Sequence, residues 1–287
     1  MPFAYRATDK DVTKATRRLA AKRAAHALAA LGGDQPPAEA LHTARKDAKK
    51  LRALLKLVGP AFPGYKAENA ALRDGARAVS SLRDRGAMLE AFDRVVPNDA
   101  GDAFATIRAA LEARAPASAD EDALVTDFAA TFAALNNRAR HWKLREKGFD
   151  AFEPGLTDWY ARTRTAMKAA GKDGTAEAFH DWRKRAKTHW FHASLLANTA
   201  PRLMAPHVAL AGDVAERLGD HHDLVNLAAL LPKLDVPKAD RKAFAARIVA
   251  ARKALERHAL TQGARLHADS PKALARRWRI WWELRGA

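Results

Sequence analysis

Apolar residues recur at three- and four-residue spacing along most of the chain, and the rhythm breaks where Pro, Gly and Asp gather. That pattern predicts a succession of long helices. The first runs from about Thr8 to Leu31 and stops at Gly32-Gly33; the second spans roughly Ala38 to Val58, between Pro36-Pro37 and Gly59-Pro60. A third is expected from about Tyr65 to Val96 and a shorter one from about Asp102 to Arg114. Ser118-Ala119-Asp120-Glu121 has the form of a capping box and opens a helix reaching about Lys147. In the second half, helices are expected from Glu153-Pro154 to Ala170, Thr175 to Thr199, Pro206 to Leu231, Lys238 to His267, and from Ser270-Pro271 to the end. No run alternates apolar and polar residues between turn signals, so no strand is predicted. The expected fold class is all-α.

Composition agrees, because Ala, Leu, Arg and Lys, all strong helix formers, are abundant. The more informative feature is an internal repeat. Leu41-His42-Thr43-Ala44-Arg45-Lys46-Asp47-Ala48-Lys49 returns as Phe179-His180-Asp181-Trp182-Arg183-Lys184-Arg185-Ala186-Lys187, with His, Arg, Lys, Ala and Lys in identical register. Further on, Val79–Asp84 aligns loosely with Leu218–Asp223. The simplest organisation is two related, pseudo-symmetric helical bundles of four-helix type, residues 1–147 and 148–287, forming one domain together.

Charge sharpens this picture. Fifty Lys and Arg against 33 Asp and Glu leave a formal net charge of +17, and self-repulsion of that size points to a polyanionic partner. Nucleic acid, an acidic membrane and polyphosphate all satisfy it. On a wheel of about 100° per residue, His42, Arg45, Lys46, Lys49, Arg52 and Lys56 share one stripe about 120° wide. Ala44, Ala48, Leu51, Leu54, Leu55 and Val58 fall opposite, and Asp47 lies off the stripe. Like charges at i,i+3 and i,i+4 repel by a few tenths of a kcal/mol per pair, and no Glu interleaves here to relieve them. The second copy keeps His180, Arg183, Lys184 and Lys187 on one stripe before Trp190 and Phe191 interrupt it. A chain that twice aligns cations without acids lays an anion along them. Lys66, Asn69, Arg73, Arg77 and Ser80 share a face of the third helix and offer a second wall to such a groove, with guanidinium forks suited to phosphate.

At these residues the sequence resembles the CHAD family, the conserved-histidine α-helical domain. His42-x-x-Arg45-Lys46-x-x-Lys49-x-x-Arg52 with its Leu-rich tail resembles the first motif of that family. Tyr65–Asn69 through Leu82-Arg83-Asp84 resembles the segment after it. Phe179-His180-x-x-Arg183-Lys184-x-x-Lys187 and Leu218-Gly219-x-x-His222-Asp223-Leu224 resemble the second-half counterparts, so nearly the whole chain is covered. The resemblance implies two pseudo-symmetric bundles with basic residues lining a central groove or pore, and binding of inorganic polyphosphate. It adds Arg83 and His222 to the expected phosphate-facing residues, and implies association with polyphosphate granules in the cytoplasm. One departure is His189-Trp190 where the first copy has Leu51-Arg52, which marks Trp190 for packing.

Other chemistry is weakly represented. Without cysteine there is no disulfide, thiolate metal site or cysteine nucleophile, which fits a reducing cytoplasm. The N-terminus has no apolar core of a signal peptide, and no stretch approaches the roughly 18 apolar residues of a membrane span. His189 with His192, and His221-His222-Asp223, lack a third ligand cluster at defined spacing, so no metal is expected; His189 falls on the apolar side. Leu274, Trp278 and Trp281 share a face that would close the second bundle, despite the Arg-rich surroundings that membrane-surface helices show. No P-loop, Gly-x-Gly-x-x-Gly, His-Glu-x-x-His or Gly-x-Ser-x-Gly signature occurs, and no Glu-x-Glu-x-Lys of a fused triphosphatase. Phosphoryl transfer would need carboxylates to hold Mg²⁺, and beside the stripes only Asp84 qualifies. The expectation is binding without catalysis and without a cofactor. Nucleic-acid binding remains the rival reading and polyphosphate processing a third, although, apart from Trp190 and Phe191, neither base-reading side chains nor interleaved aromatics mark the stripes.

Overall fold

A computed structural model describes residues 3–79, 84–96, 104–113 and 121–286 of the chain. Every regular element among them is helical. The first half holds α1 (Val12–Leu31), α2 (Pro37–Val58), α3 (Tyr65–Ala78), α4 (Asp84–Val95), α5 (Ala105–Glu112) and α6 (Glu121–Ala139). The second holds α7 (Glu153–Asp173), α8 (Ala176–Leu195), α9 (Pro201–Leu230), α10 (Lys238–Leu266) and α11 (Pro271–Leu284). The all-α expectation holds.

Short-range chemistry sets several boundaries. Asp11 accepts the Lys14 N–H at 2.9 Å, so α1 starts at Val12 and not at Thr8. Thr175 and Ser270 cap α8 and α11 in the same way, each at 3.2 Å, and Pro271 occupies the first turn of α11. α7 runs past Ala170 to Asp173 and ends at Gly174, whose φ of +64° suits a residue without Cβ. Other expectations fail at breaks that helical periodicity does not mark. α6 ends at Ala139 and not near Lys147, because Trp142 turns inward to pack on Phe62 with ring centroids 4.9 Å apart. α8 ends at Leu195, with a separate turn over Ala197–Thr199, and α9 starts at Pro201. Pro206 therefore lies inside α9, where its missing N–H faces the carbonyl of exposed Arg202, a group that water can satisfy. The single helix expected from Tyr65 to Val96 is two, α3 and α4; residues 80–83 lie outside the described set, as does the Ser118 end of the capping box.

α1, α2, α3 and α6 pack together: α1 lies against α2 and α6, and α3 against the same two. α7, α8, α9 and α10 pack in chain order, with α10 also touching α7. α4 and α5 precede residue 148 but pack on α9 and α10, where Met88, Phe92, Val95, Ile107 and Leu111 share a core with Leu224, Leu227, Phe244 and Ile248. α11 packs on α7 and buries Leu274, Trp278 and Trp282. The buried face thus takes in Trp282, and Trp281 is only half-buried.

The apolar face expected of α2 is its buried face: Ala44, Ala48, Leu51, Leu54, Leu55 and Val58 have no exposed surface. Each Leu contributes roughly 1.5–3 kcal/mol by leaving water, which fixes the rotation of α2 and so the direction of its cations. Asp47 is buried as well, 3.0 Å from Arg23 and 2.5 Å from His26 Nδ1. α2 also meets α7 and α8. Where α7 crosses the end of α2, a Cβ on Gly155 would lie 2.1 Å from the Leu57 carbonyl oxygen and 2.7 Å from that of Lys56. Both obstacles are backbone, so Gly155→Ala is expected to lower stability by about 1–3 kcal/mol or more, read as a fall in Tm. An unchanged Tm would contradict this close approach.

Candidate anion-binding groove

The rotation of α2 and its contact with α8 bring the two basic faces, from opposite halves of the chain, against one another. Between them runs a groove in two connected parts. The wider part, about 770 Å³, is lined by His42, Arg45, Lys46, Lys49 and Lys50 from α2, Arg183, Lys187, Trp190 and Phe191 from α8, and Glu216, His222, Asp223 and Asn226 from α9. The narrower part, about 200 Å³, is lined by Lys49, Arg52 and Lys56 facing Arg183, Lys184, Lys187 and Thr188. Lys49, Arg183 and Lys187 line both.

Of the residues expected to face phosphate, His42, Arg45, Lys46, Lys49, Arg52, Lys56, Arg183, Lys184, Lys187 and His222 therefore line this groove. His180 reaches it through His222: the two Nδ1 atoms are 3.1 Å apart and the ring centroids 4.3 Å. Lys66, Arg73 and Arg77 sit on the exposed face of α3 and line neither part. Arg73 bonds Asp74 at 2.8 Å, and α3 touches the site through Asn69, whose Oδ1 accepts from Arg52 Nε at 3.1 Å. Arg83 lies outside the described residues.

Crowding like charges into a partly dry cleft shifts their protonation. Burial, then Arg52 and Arg185, pushes the Lys56 ammonium down to about 7. Its Nζ donates to Thr188 Oγ1 at 3.1 Å and stands 4.0 Å from the Trp159 ring centroid. Burial and Arg183 push Lys187 down to about 8, with Glu216 opposing and Lys46 and Lys50 adding; its Nζ lies 4.2 Å from the Trp190 ring centroid. Lys50 is lowered by burial and by Arg23. His180 is lowered by burial, then by Lys184 and Arg183, and His222 falls to about 4 through burial, Arg183 and His180. The groove thus holds positive charge against resistance, and an anion would relieve it.

Three features escaped the sequence reading. Lys50 joins the groove one turn after Lys46, at the edge of the stripe. α9 supplies a third wall, where Glu216, Asp223 and Asn226 join the expected His222. That wall carries carboxylates, so Asp84, whose side chain is not described, is not the sole acid to consider: Glu216 and Asp223 line the groove. Asp223 Oδ2 is 3.7 Å from Arg94, which also lies 3.2 Å from Asp220 and ties α4 to α9. Trp190 packs, as its place in the repeat indicated, and also faces the groove: its ring stacks on Phe191 at 5.1 Å and its Nε1 would lie 3.1 Å from a Cβ on Gly212.

The remaining histidines lie elsewhere. His189 is fully buried with its Nε2 2.9 Å from that of His207, and His192 Nε2 donates to the Ala53 carbonyl at 3.0 Å. His221 turns from His222 to Glu256 at 2.9 Å. Among the described residues no group of three or more His, Cys, Asp or Glu side chains is placed to hold a metal ion. No described helix is long and apolar enough to cross a membrane.

The family model of the CHAD domain matches residues 12–232, so this chain belongs to the CHAD family. Comparison with curated protein sequences gives no match. The matched span covers α1 to α9, all three walls of the groove.

Proposed function

We propose that this protein binds inorganic polyphosphate, without catalysis, along the groove between α2, α8 and α9. The observation that carries the reading is the convergence of two basic faces from opposite halves of the chain on one cleft, with Lys56 and Lys187 held below their ordinary range. A flexible polyanion can follow such a cleft, and its charge density matches closely spaced cations better than any single phosphate does. Attachment to polyphosphate granules follows from the same affinity. The two carboxylates of the α9 wall stand beside basic partners, Glu216 near Lys187 and Asp223 near Arg94, which supports charge balancing over metal-assisted hydrolysis.

Trp190 and Phe191 favour single-stranded RNA as the competing ligand, since both rings line the groove. Lys187 stands against both rings, at 4.2 and 5.8 Å, which leaves them less free to stack on bases. Titration with long polyphosphate, single-stranded RNA and duplex DNA at matched salt is expected to rank polyphosphate tightest by at least about tenfold, or roughly 1.4 kcal/mol. Incubation with polyphosphate and Mg²⁺ is expected to release no phosphate. Tighter RNA binding would overturn the ligand assignment, and steady phosphate release the non-catalytic one.

A further inference from the structure

Lys56 is unlike the other groove cations. Its Nζ sits at the narrow end, where Thr188 Oγ1 accepts one of its hydrogens at 3.1 Å. The Thr188 hydroxyl gives its own hydrogen to the Lys184 carbonyl at 3.0 Å, so it has none to offer the amine. The neutral form of Lys56 consequently keeps its lone pair while the N–H is anchored. Trp159 from α7 walls the site at 4.0 Å, and its ring is also within 5.6 Å of Arg162. The charged groups acting on Lys56 are Arg52 from its own helix and Arg185 from α8, both cations. Arg183, Lys184 and Lys187 line the same narrow pocket.

An amine that is partly neutral near pH 7, among groups able to seat a phosphate, has the two properties that acyl transfer from an acyl phosphate needs. We propose that Lys56 is a modification site, its Nζ accepting the acyl group of a small acyl phosphate docked by the cations of the narrow pocket. The amine attacks the carbonyl carbon, the carbon–oxygen bond to phosphate breaks, and inorganic phosphate leaves with that electron pair. The surplus nitrogen proton passes to the departing phosphate or water, and a neutral amide remains. No oxidant, reductant or metal is required. The product lacks the charge at the narrow end, so acylation and polyphosphate occupancy oppose each other. This inference rests on the groove being a phosphate site, and its test separates the two.

Wild-type protein at pH 7.5 is treated with acetyl phosphate, and in parallel with acetic anhydride, which carries no phosphate. Rates of acetylation at each lysine are read by peptide mass spectrometry. With acetyl phosphate, Lys56 is expected to react at least about tenfold faster than exposed Lys14 and Lys242, with that preference falling at least about threefold under acetic anhydride. Saturating polyphosphate is expected to protect Lys56 and leave Lys14 unaffected. A Lys56 rate no greater than that of Lys14 overturns the proposal, and so does an equal preference under both donors, which would leave phosphate docking without a part. If polyphosphate binds while Lys56 stays unmodified, only this inference fails. If Lys56 is selectively acetylated by acetyl phosphate and polyphosphate does not bind, the polyphosphate reading fails instead.

Discussion

Reversing Lys49 and Lys187 together to Glu is expected to weaken polyphosphate binding by at least about a hundredfold, near 3 kcal/mol, at low salt. The two lysines face each other from α2 and α8 and line both parts of the groove, so each reversal removes an attraction and adds a repulsion midway along the ligand path. The matched control is Lys242 and Lys253, exposed on α10 and outside both groove linings. The same change of net charge there leaves the groove intact and is expected to cost less than about threefold, through long-range attraction alone. Salt supplies an independent reading. Neutralised phosphates release counterions, so log Kd against log salt should be steep for wild type and shallower by about two units after Lys49 and Lys187 are reversed. Helical content by circular dichroism guards against unfolding as the cause. Equal losses from the two pairs would mean diffuse attraction to a basic surface and would remove the groove from the account.

The second large effect is on pH. Lys187 stands at about 8 and Lys56 at about 7, both below the ordinary lysine value chiefly because they are buried, and further because they lie beside other cations. A bound polyanion cancels that repulsion and raises both. Binding then takes up protons, and affinity must rise as pH falls through the interval between the empty and occupied values. That interval opens near 7 for Lys56 and near 8 for Lys187. Each unit of pKa regained is worth a factor of ten, so a fall of at least about tenfold in affinity is expected between pH 6.5 and 9. Replacing both lysines by Arg keeps the charge and removes the titration, and should flatten this slope to under about threefold. A second limb belongs to the imidazoles. His222 stands at about 4 and His180 below its ordinary value, so affinity should tighten again between about pH 6.5 and 5, and the His180→Gln, His222→Gln variant should lose that limb alone. A wild-type alkaline slope that survives the Lys→Arg replacements would assign the effect to other groups.

The parts of this molecule that were legible in its sequence are those where a single helix carries both signals. In α2 the leucines fix which side goes inward, so the direction of His42, Arg45, Lys46, Lys49, Arg52 and Lys56 follows from period alone. α8 repeats the argument until Trp190. What periodicity does not carry is partnership. Nothing in the α3 stripe distinguishes a wall from an outer face, and Lys66, Arg73 and Arg77 are exposed and line neither part of the groove that α9 completes. In α9 the spacing i, i+7, i+10 puts Glu216, Asp223 and Asn226 on one face, but only packing shows that this face turns to the cations of α2 and α8. Chain breaks were hidden for related reasons. The end of α6 at Ala139 is set by a tertiary contact of Trp142, and Pro206 is tolerated because its unpaired carbonyl neighbour meets solvent. Neither cause is local, so no propensity scale registers it.

The packing of α4 and α5 on α9 and α10 imposes an order on the birth of the molecule. Phe92 and Phe104 find their partner in Phe244, at 5.2 Å each, and Arg94 finds its own in Asp220 and Asp223. A ribosome adding about 5–20 residues per second needs roughly 8 to 30 seconds to travel from Phe92 to Phe244. Throughout that delay α4 and α5 have each other to pack on but lack Leu224, Leu227, Phe244 and Ile248, the rest of the core they share in the folded chain. The core that α4 and α5 share with α9 and α10 therefore closes only after α10 has been made.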